Sequence, residues 1–180
     1  MYYTSIKFFK VVYQDFSAKL KVSAILSFSD FRCPTEFSTS TTAFRNVNGK
    51  CYYITREGCG DTGCTFYQAE YKCKTVFGPG INGIVFEPTS LENNNAVLQA
   101  ADRALGCKKC WFWIGVSNGE LKYKSDGKAV SIATIPWGPG EPYLSSSQTQ
   151  CLLANSVNLK WQATHSCSAN GGDIICESRL

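Results

Sequence analysis

"CWFWIGV" runs from Cys110 to Val116, and its reading decides the fold. It is nearly all apolar, so it predicts a buried central strand and not a half-solvated one. Turn signals follow it at "SNGE" and "SDGK". Asp126 in the second belongs to turn chemistry, since Asp hydrogen-bonds its own backbone and the next glycine takes the positive φ. On the N-terminal side, "SLENNNAVLQAADRALG" (Ser90 to Gly106) predicts a helix. Ser90 is its cap, Val97, Ala101, Ala104 and Leu105 are its inner stripe, and Gly106 is its stop.

Further out, "TFYQAEYKCKTVFG" (Thr65 to Gly78) predicts another helix. Thr65 and Gln68 form a capping box, Phe66, Ala69, Cys73 and Phe77 share a face, and Gly78 with Pro79 ends it. "GKCYYITRE" (Gly49 to Glu57) reads as a strand, preceded by a polar connector, "STSTTAF" (Ser38 to Phe44). From Ile135 to Asn158 the chain is rich in Gly, Pro, Ser, Gln and Asn, which predicts a long irregular region. "LKWQATHSC" and "DIICES" supply two short closing strands. A strand, two helices, and then several strands with a long loop make an α+β fold.

The 180 residues are 44% hydrophobic and 18% charged, a globular composition with room for one core. The net charge of +4 is spread along the chain, with no basic run interleaved with aromatics, so nucleic acid is not an expected partner. No apolar run is long enough to span a bilayer. Ten cysteines, all after residue 32, point to disulfides and an oxidising, extracellular compartment. The single histidine, His165, gives Cys/His zinc fingers little support and has no partner for nucleophilic catalysis. Residues 1–32 lack cysteine and read as an N-terminal extension ahead of a domain spanning 33–180. Lys7, Lys10, Lys19 and Lys21 precede the short apolar run Val22–Ser29, the outline of a degraded secretory signal or of an ordinary strand.

In chain order stand "CYYI" at Cys51, "AEYKC" at Ala69, "WIGV" at Trp113, "YKSDG" at Tyr123, "GEP" at Gly140, "QC" at Gln150, "KW" at Lys160 and "IICE" at Ile174. Together they resemble the C-type lectin-like domain, over about Cys33 to Glu177. The resemblance implies two helices flanking small antiparallel sheets, and a recognition role, not an enzymatic one. It implies the disulfides Cys73–Cys176 and Cys151–Cys167, with Cys33–Cys51 as the extra pair of the longer form. Cys59, Cys64, Cys107 and Cys110 lie outside that set. Two local or two crossed bridges, a redox dithiol at "CKKC" and a four-cysteine zinc site are the readings open for them.

The resemblance also implies calcium in the long loop, with sugar hydroxyls completing its shell. Calcium takes roughly 6–8 oxygens, several of them charged. Glu141 and Pro142 match the first two positions of a Glu-Pro-Asn triplet, but Tyr143 replaces the Asn. Thr149 or Gln148 stands where an acid precedes the cysteine, and Gln162 and Ala163 replace an Asn-Asp pair after Trp161. The Trp161–Cys167 spacing is one residue longer than the pattern. Glu141 is the only carboxylate between Trp137 and Trp161, so a calcium site is expected to be weak or degenerate. The expected ligand is a glycan, held by Glu141, Tyr143, Trp137 and Gln162. The competing expectation is a protein ligand bound on the same scaffold without calcium.

Overall fold

Asn48 and Gly49 both take positive φ, 52° and 81°, and close a two-residue hairpin turn. The turn joins strand β1 (Thr42–Val47) to strand β2 (Lys50–Thr55), with Val47 opposite Lys50. The connector expected over 38–44 is therefore partly a strand, because Thr42, Ala43 and Phe44 pair with Thr55, Ile54 and Tyr53. The computed structural model describes residues 33, 39, 41–59, 61–107, 110–117, 121–131, 135–142, 151–164 and 166–179. The extension, Tyr143, Gln148, Thr149 and His165 lie outside the described residues.

Helix α1 (Phe66–Cys73) starts at Thr65, whose hydroxyl accepts from the Gln68 N–H while Gln68 accepts from the Thr65 N–H. It stops a turn earlier than its spacing predicts. Past Cys73 the Thr75 hydroxyl donates to the Lys72 carbonyl at 3.0 Å, and the Thr75 N–H donates to the same oxygen. Such back-bonding competes with helical continuation. Strand β3 (Asn82–Val85) follows, then helix α2 (Leu91–Leu105), capped by Ser90 and ended by Gly106 in the left-handed region at φ 58°. The expected inner stripe of α2 is buried throughout.

"CWFWIGV" supplies strand β4 (Trp111–Ser117), buried from Phe112 to Val116. Strand β5 (Lys122–Tyr123) pairs with it. The region expected to be irregular over 135–158 contains a further strand, β6 (Cys151–Asn155), all five residues of which are buried. It is hidden in a Ser- and Asn-rich sequence, but lies between β4 and strand β7 (Trp161–Thr164). The last strand is β8 (Ile174–Arg179). The two antiparallel sheets have the orders β1-β2-β8-β3 and β5-β4-β6-β7.

Backbone bonds link the sheets through Phe86 and through Asp173, which bonds to Trp111 and Trp113 of β4 just before β8. The Phe86 N–H donates to Ile175 of the first sheet, and the Gly115 N–H of β4 donates to Phe86 at 2.8 Å. Glycine is required there: a Cβ at 115 would lie 2.6 Å from the Val85 carbonyl oxygen. One apolar cluster gathers under α2, with Phe86, Leu98, Phe112, Ile114 and Trp161. A second, with Phe66, Trp113, Leu153 and Ile174, packs around α1. Five disulfides staple the chain: Cys33–Cys51, Cys59–Cys64, Cys73–Cys176, Cys107–Cys110 and Cys151–Cys167.

One buried polar contact aims the frame at the long loop. The Trp161 indole N–H donates to the Asn94 side-chain oxygen at 2.8 Å, linking α2 to β7. Trp161 is 2% exposed and Asn94 1%. Asn94→Ala strands that N–H away from water, and is expected to cost about 1–3 kcal/mol in thermal or urea unfolding. A loss under about 0.5 kcal/mol would show that the indole finds another acceptor.

A loop surface pinned to strand β7

The segment from Ile135 to Pro142 lies against the start of β7. Trp161 donates its N–H to the Pro136 carbonyl, and the Gly138 N–H donates back to the Trp161 carbonyl, each at 2.9 Å. The Trp137 ring meets the Trp161 ring edge-on at 6.2 Å between centroids. The Trp137 indole N–H is buried and has no acceptor among the described residues. Gly140 takes φ 79°, and the Glu141 N–H donates to the Gly138 carbonyl at 3.1 Å. The Glu141–Pro142 peptide is cis.

Glu141 is half-buried, and its Oε2 accepts from the Ala163 N–H at 3.1 Å. Ala163, without a ligand atom in its side chain, thus holds Glu141 through its backbone. Gln162, half-buried, stands one residue before that N–H on β7. The structure therefore brings Trp137, Glu141 and Gln162 to one strand edge. The donor set does not fit a tight calcium site. Glu141 is the sole carboxylate of the segment, and one of its oxygens is engaged by the backbone. Among the described residues, Cys107, Cys110 and Asp173 cluster elsewhere, but the two cysteines are joined in a disulfide and offer no thiolate to a metal.

Two electrostatic features escaped the reading of the sequence. Glu87 and Glu177, at 1% and 0% exposure, are buried acids on neighbouring strands of the first sheet or its continuation. Glu87 accepts from the Ser125 N–H at 2.8 Å, from the Ser125 hydroxyl and from Arg179. Both Glu177 oxygens are buried and poorly satisfied: the Glu87 backbone N–H is at the margin of bonding distance, and Arg179 Nε at 3.5 Å and Lys50 Nζ at 3.8 Å are the nearby cations. Burial pushes both carboxyls above the usual carboxylate range; Ser125 and Arg179 oppose this for Glu87, and Lys50 and Arg179 for Glu177. The second feature is Arg56, which faces the Cys107–Cys110 bridge and pairs with Asp173 at 3.6 Å. Burial raises Asp173 also, and Arg56 works against it. Acids inside apolar runs, "VFEP" and "IICES", were the only available signal for the first feature.

Two helices and two small antiparallel sheets, stapled by Cys73–Cys176 and Cys151–Cys167, match the C-type lectin-like fold, and this chain has that fold, with Cys59–Cys64 and Cys107–Cys110 as additional bridges. The C-type lectin CEL-I from Cucumaria echinata superposes with a TM-score of 0.62 at 15% identity, over 83% of this chain and 99% of that one. Human lithostathine gives 0.58 at 18% identity, over 81% and 98%. The SPL-1–GlcNAc complex gives 0.51 at 18%, over 74% and 90%. No family model matches the chain, and no curated protein matches it in sequence.

Proposed function

We propose that this chain is an extracellular recognition domain that binds carbohydrate, or a glycoconjugate, on the surface of the segment from Trp137 to Trp161, without needing calcium. The observation that carries the reading is the bond from the Ala163 N–H to Glu141, which fixes one carboxylate beside Trp137 and Gln162. A carboxylate accepts from sugar hydroxyls, an amide both donates and accepts, and an indole offers an apolar face to a sugar ring. Lectins of the same fold support it: CEL-I is a C-type lectin, and SPL-1 is seen with GlcNAc. Catalysis is not part of the role.

Retention of the oxidised protein on immobilised mannan tests this, first in calcium and then in chelator. Retention is expected to survive the chelator. Glu141→Ala is expected to weaken it about tenfold, the worth of one hydrogen bond to a charged group. Release by chelator would mean that oxygens other than those identified complete a calcium site. Absence of retention in both buffers would favour a protein ligand on this surface.

A further inference from the structure

Cys107–Cys110 has the shortest sequence separation of the five disulfides, three, against 5 for Cys59–Cys64 and 16 or more for the others. It joins the end of α2 to the start of β4, and hydrogen bonds already hold both of its cysteines. The Cys107 N–H donates to the Asp102 carbonyl, and the Cys110 N–H donates to the Ser156 hydroxyl, each at 3.3 Å. The Ser156 hydroxyl in turn donates to the Asp102 carboxylate at 2.8 Å. So short a loop restrains the unfolded chain least of any bridge, and its opening leaves both cysteines anchored.

What surrounds the bridge suits sulfur carrying negative charge. Arg56 Nη2 lies 2.8 Å from Cys107 Sγ and 3.1 Å from Cys110 Sγ. A disulfide sulfur is a weak acceptor, whereas a thiolate facing a guanidinium makes a charge-assisted bond. Among the described residues Arg56 Nε is buried with no acceptor, while Nη2 also faces Asp173 at 3.6 Å, a carboxylate within 4.8 Å of both sulfurs that opposes charge there. Cys107 is half-buried and Cys110 is 6% exposed, so an incoming thiol reaches one sulfur more readily than the other. A cavity of about 610 Å³, lined by Arg56, Cys110, Trp111 and Asp173, opens beside them.

We propose that Cys107–Cys110, with Arg56, is a thiol–disulfide exchange site that accepts electrons from dithiols. A dithiol's thiolate attacks Cys107 Sγ, and the S–S electron pair leaves on Cys110 as a thiolate facing Arg56. The dithiol's second thiol then loses its proton, attacks its own sulfur in the mixed disulfide and expels the Cys107 thiolate. One disulfide is broken in the protein and one is formed in the reductant; two electrons pass to the two protein sulfurs, and the dithiol's two protons are released to solvent, from which the Cys107 thiolate can be reprotonated. Guanidinium beside the leaving sulfur lowers the cost of that charge.

The Cys59–Cys64 bridge is an internal reference. It is also short, and among the described residues no charged group donates to its sulfurs. The native oxidised protein is treated with limiting dithiothreitol, quenched with iodoacetamide and mapped by peptide mass. Cys107 and Cys110 are expected to be alkylated about tenfold faster than Cys59 and Cys64. Arg56→Met is expected to remove that advantage, and Asp173→Asn, which deletes the opposing carboxylate, to increase it. Equal rates for the two bridges in the wild type, or a rate unmoved by both substitutions, would overturn the proposal. Should Arg56→Met not fold, the acceleration by Asp173→Asn decides alone.

Discussion

Replacing Cys73 and Cys176 together by alanine is expected to lower stability by about 4–5 kcal/mol. The bridge spans 103 residues and ties α1 to β8, and both sulfurs are fully buried. A closed loop of that length removes the most freedom from the unfolded chain, whereas the interval between Cys107 and Cys110 removes little. The corresponding double alanine variant at Cys107 and Cys110 is therefore expected to lose less than half as much. Urea unfolding of both variants under non-reducing conditions checks the ratio. Equal losses would mean that the bridges act through native packing and not through the unfolded state.

Arg179→Met is expected to cost about 3 kcal/mol near neutral pH, because it leaves two buried carboxylates short of their shared cation. The value sits at the low end for a broken buried pair, since Arg179 is itself 36% exposed and partly screened. The effect depends on pH with a definite sign. Glu87 and Glu177 are both raised from 4.5 in the folded state, first by burial, so folding takes up protons. Their contribution to stability is fully present below the unfolded value and is lost as pH rises through the folded values. Removing Arg179 raises both further. The deficit of the variant should thus be largest at about pH 7 and shrink toward about pH 5. Denaturation at the two pH values measures it, and a deficit independent of pH would show that Arg179 acts by packing alone. Asp126, lowered chiefly by bonds from Lys128 and only last by Arg179, runs the other way, but it is exposed and changes little between the two proteins.

Three of the four helix ends were legible because they are written locally; the C-terminus of α1, read at Gly78–Pro79, falls at Cys73 instead. Thr65, Gln68, Ser90 and Gly106 do in the structure what their residue types predict. β4 was legible from an apolar run that has no other stable placement. β1 was missed because threonines mask it, although Asn48–Gly49 announced the hairpin. β6 was missed because five buried residues inside a polar stretch carry too few positions to show a period. Partners across the fold are another matter. Glu87 and Glu177 are separated by most of the chain, and nothing in either neighbourhood names the other. The disulfide partners came from the family pattern, since spacing leaves the connectivity open. At the candidate site, a reading by side chains singled out Glu141, Trp137 and Gln162. It discounted Ala163, whose contribution is a backbone N–H that only the register of β7 puts in place.

The first and last described strands, β1 and β8, lie in the same sheet, while the Glu141 surface belongs to the other. The backbone bonds that tie residues 136–141 to the frame run to Trp161, and one carboxylate bond runs to Ala163. On the proposed reading, the molecule separates what closes the domain from what would meet a ligand. Residues 138–142 belong to no strand, to neither apolar cluster and to none of the five bridges. If that segment carries the proposed recognition, the layout is a socket: the scaffold could be refitted for a new ligand by exchanging it, and it is the first place to graft a new specificity.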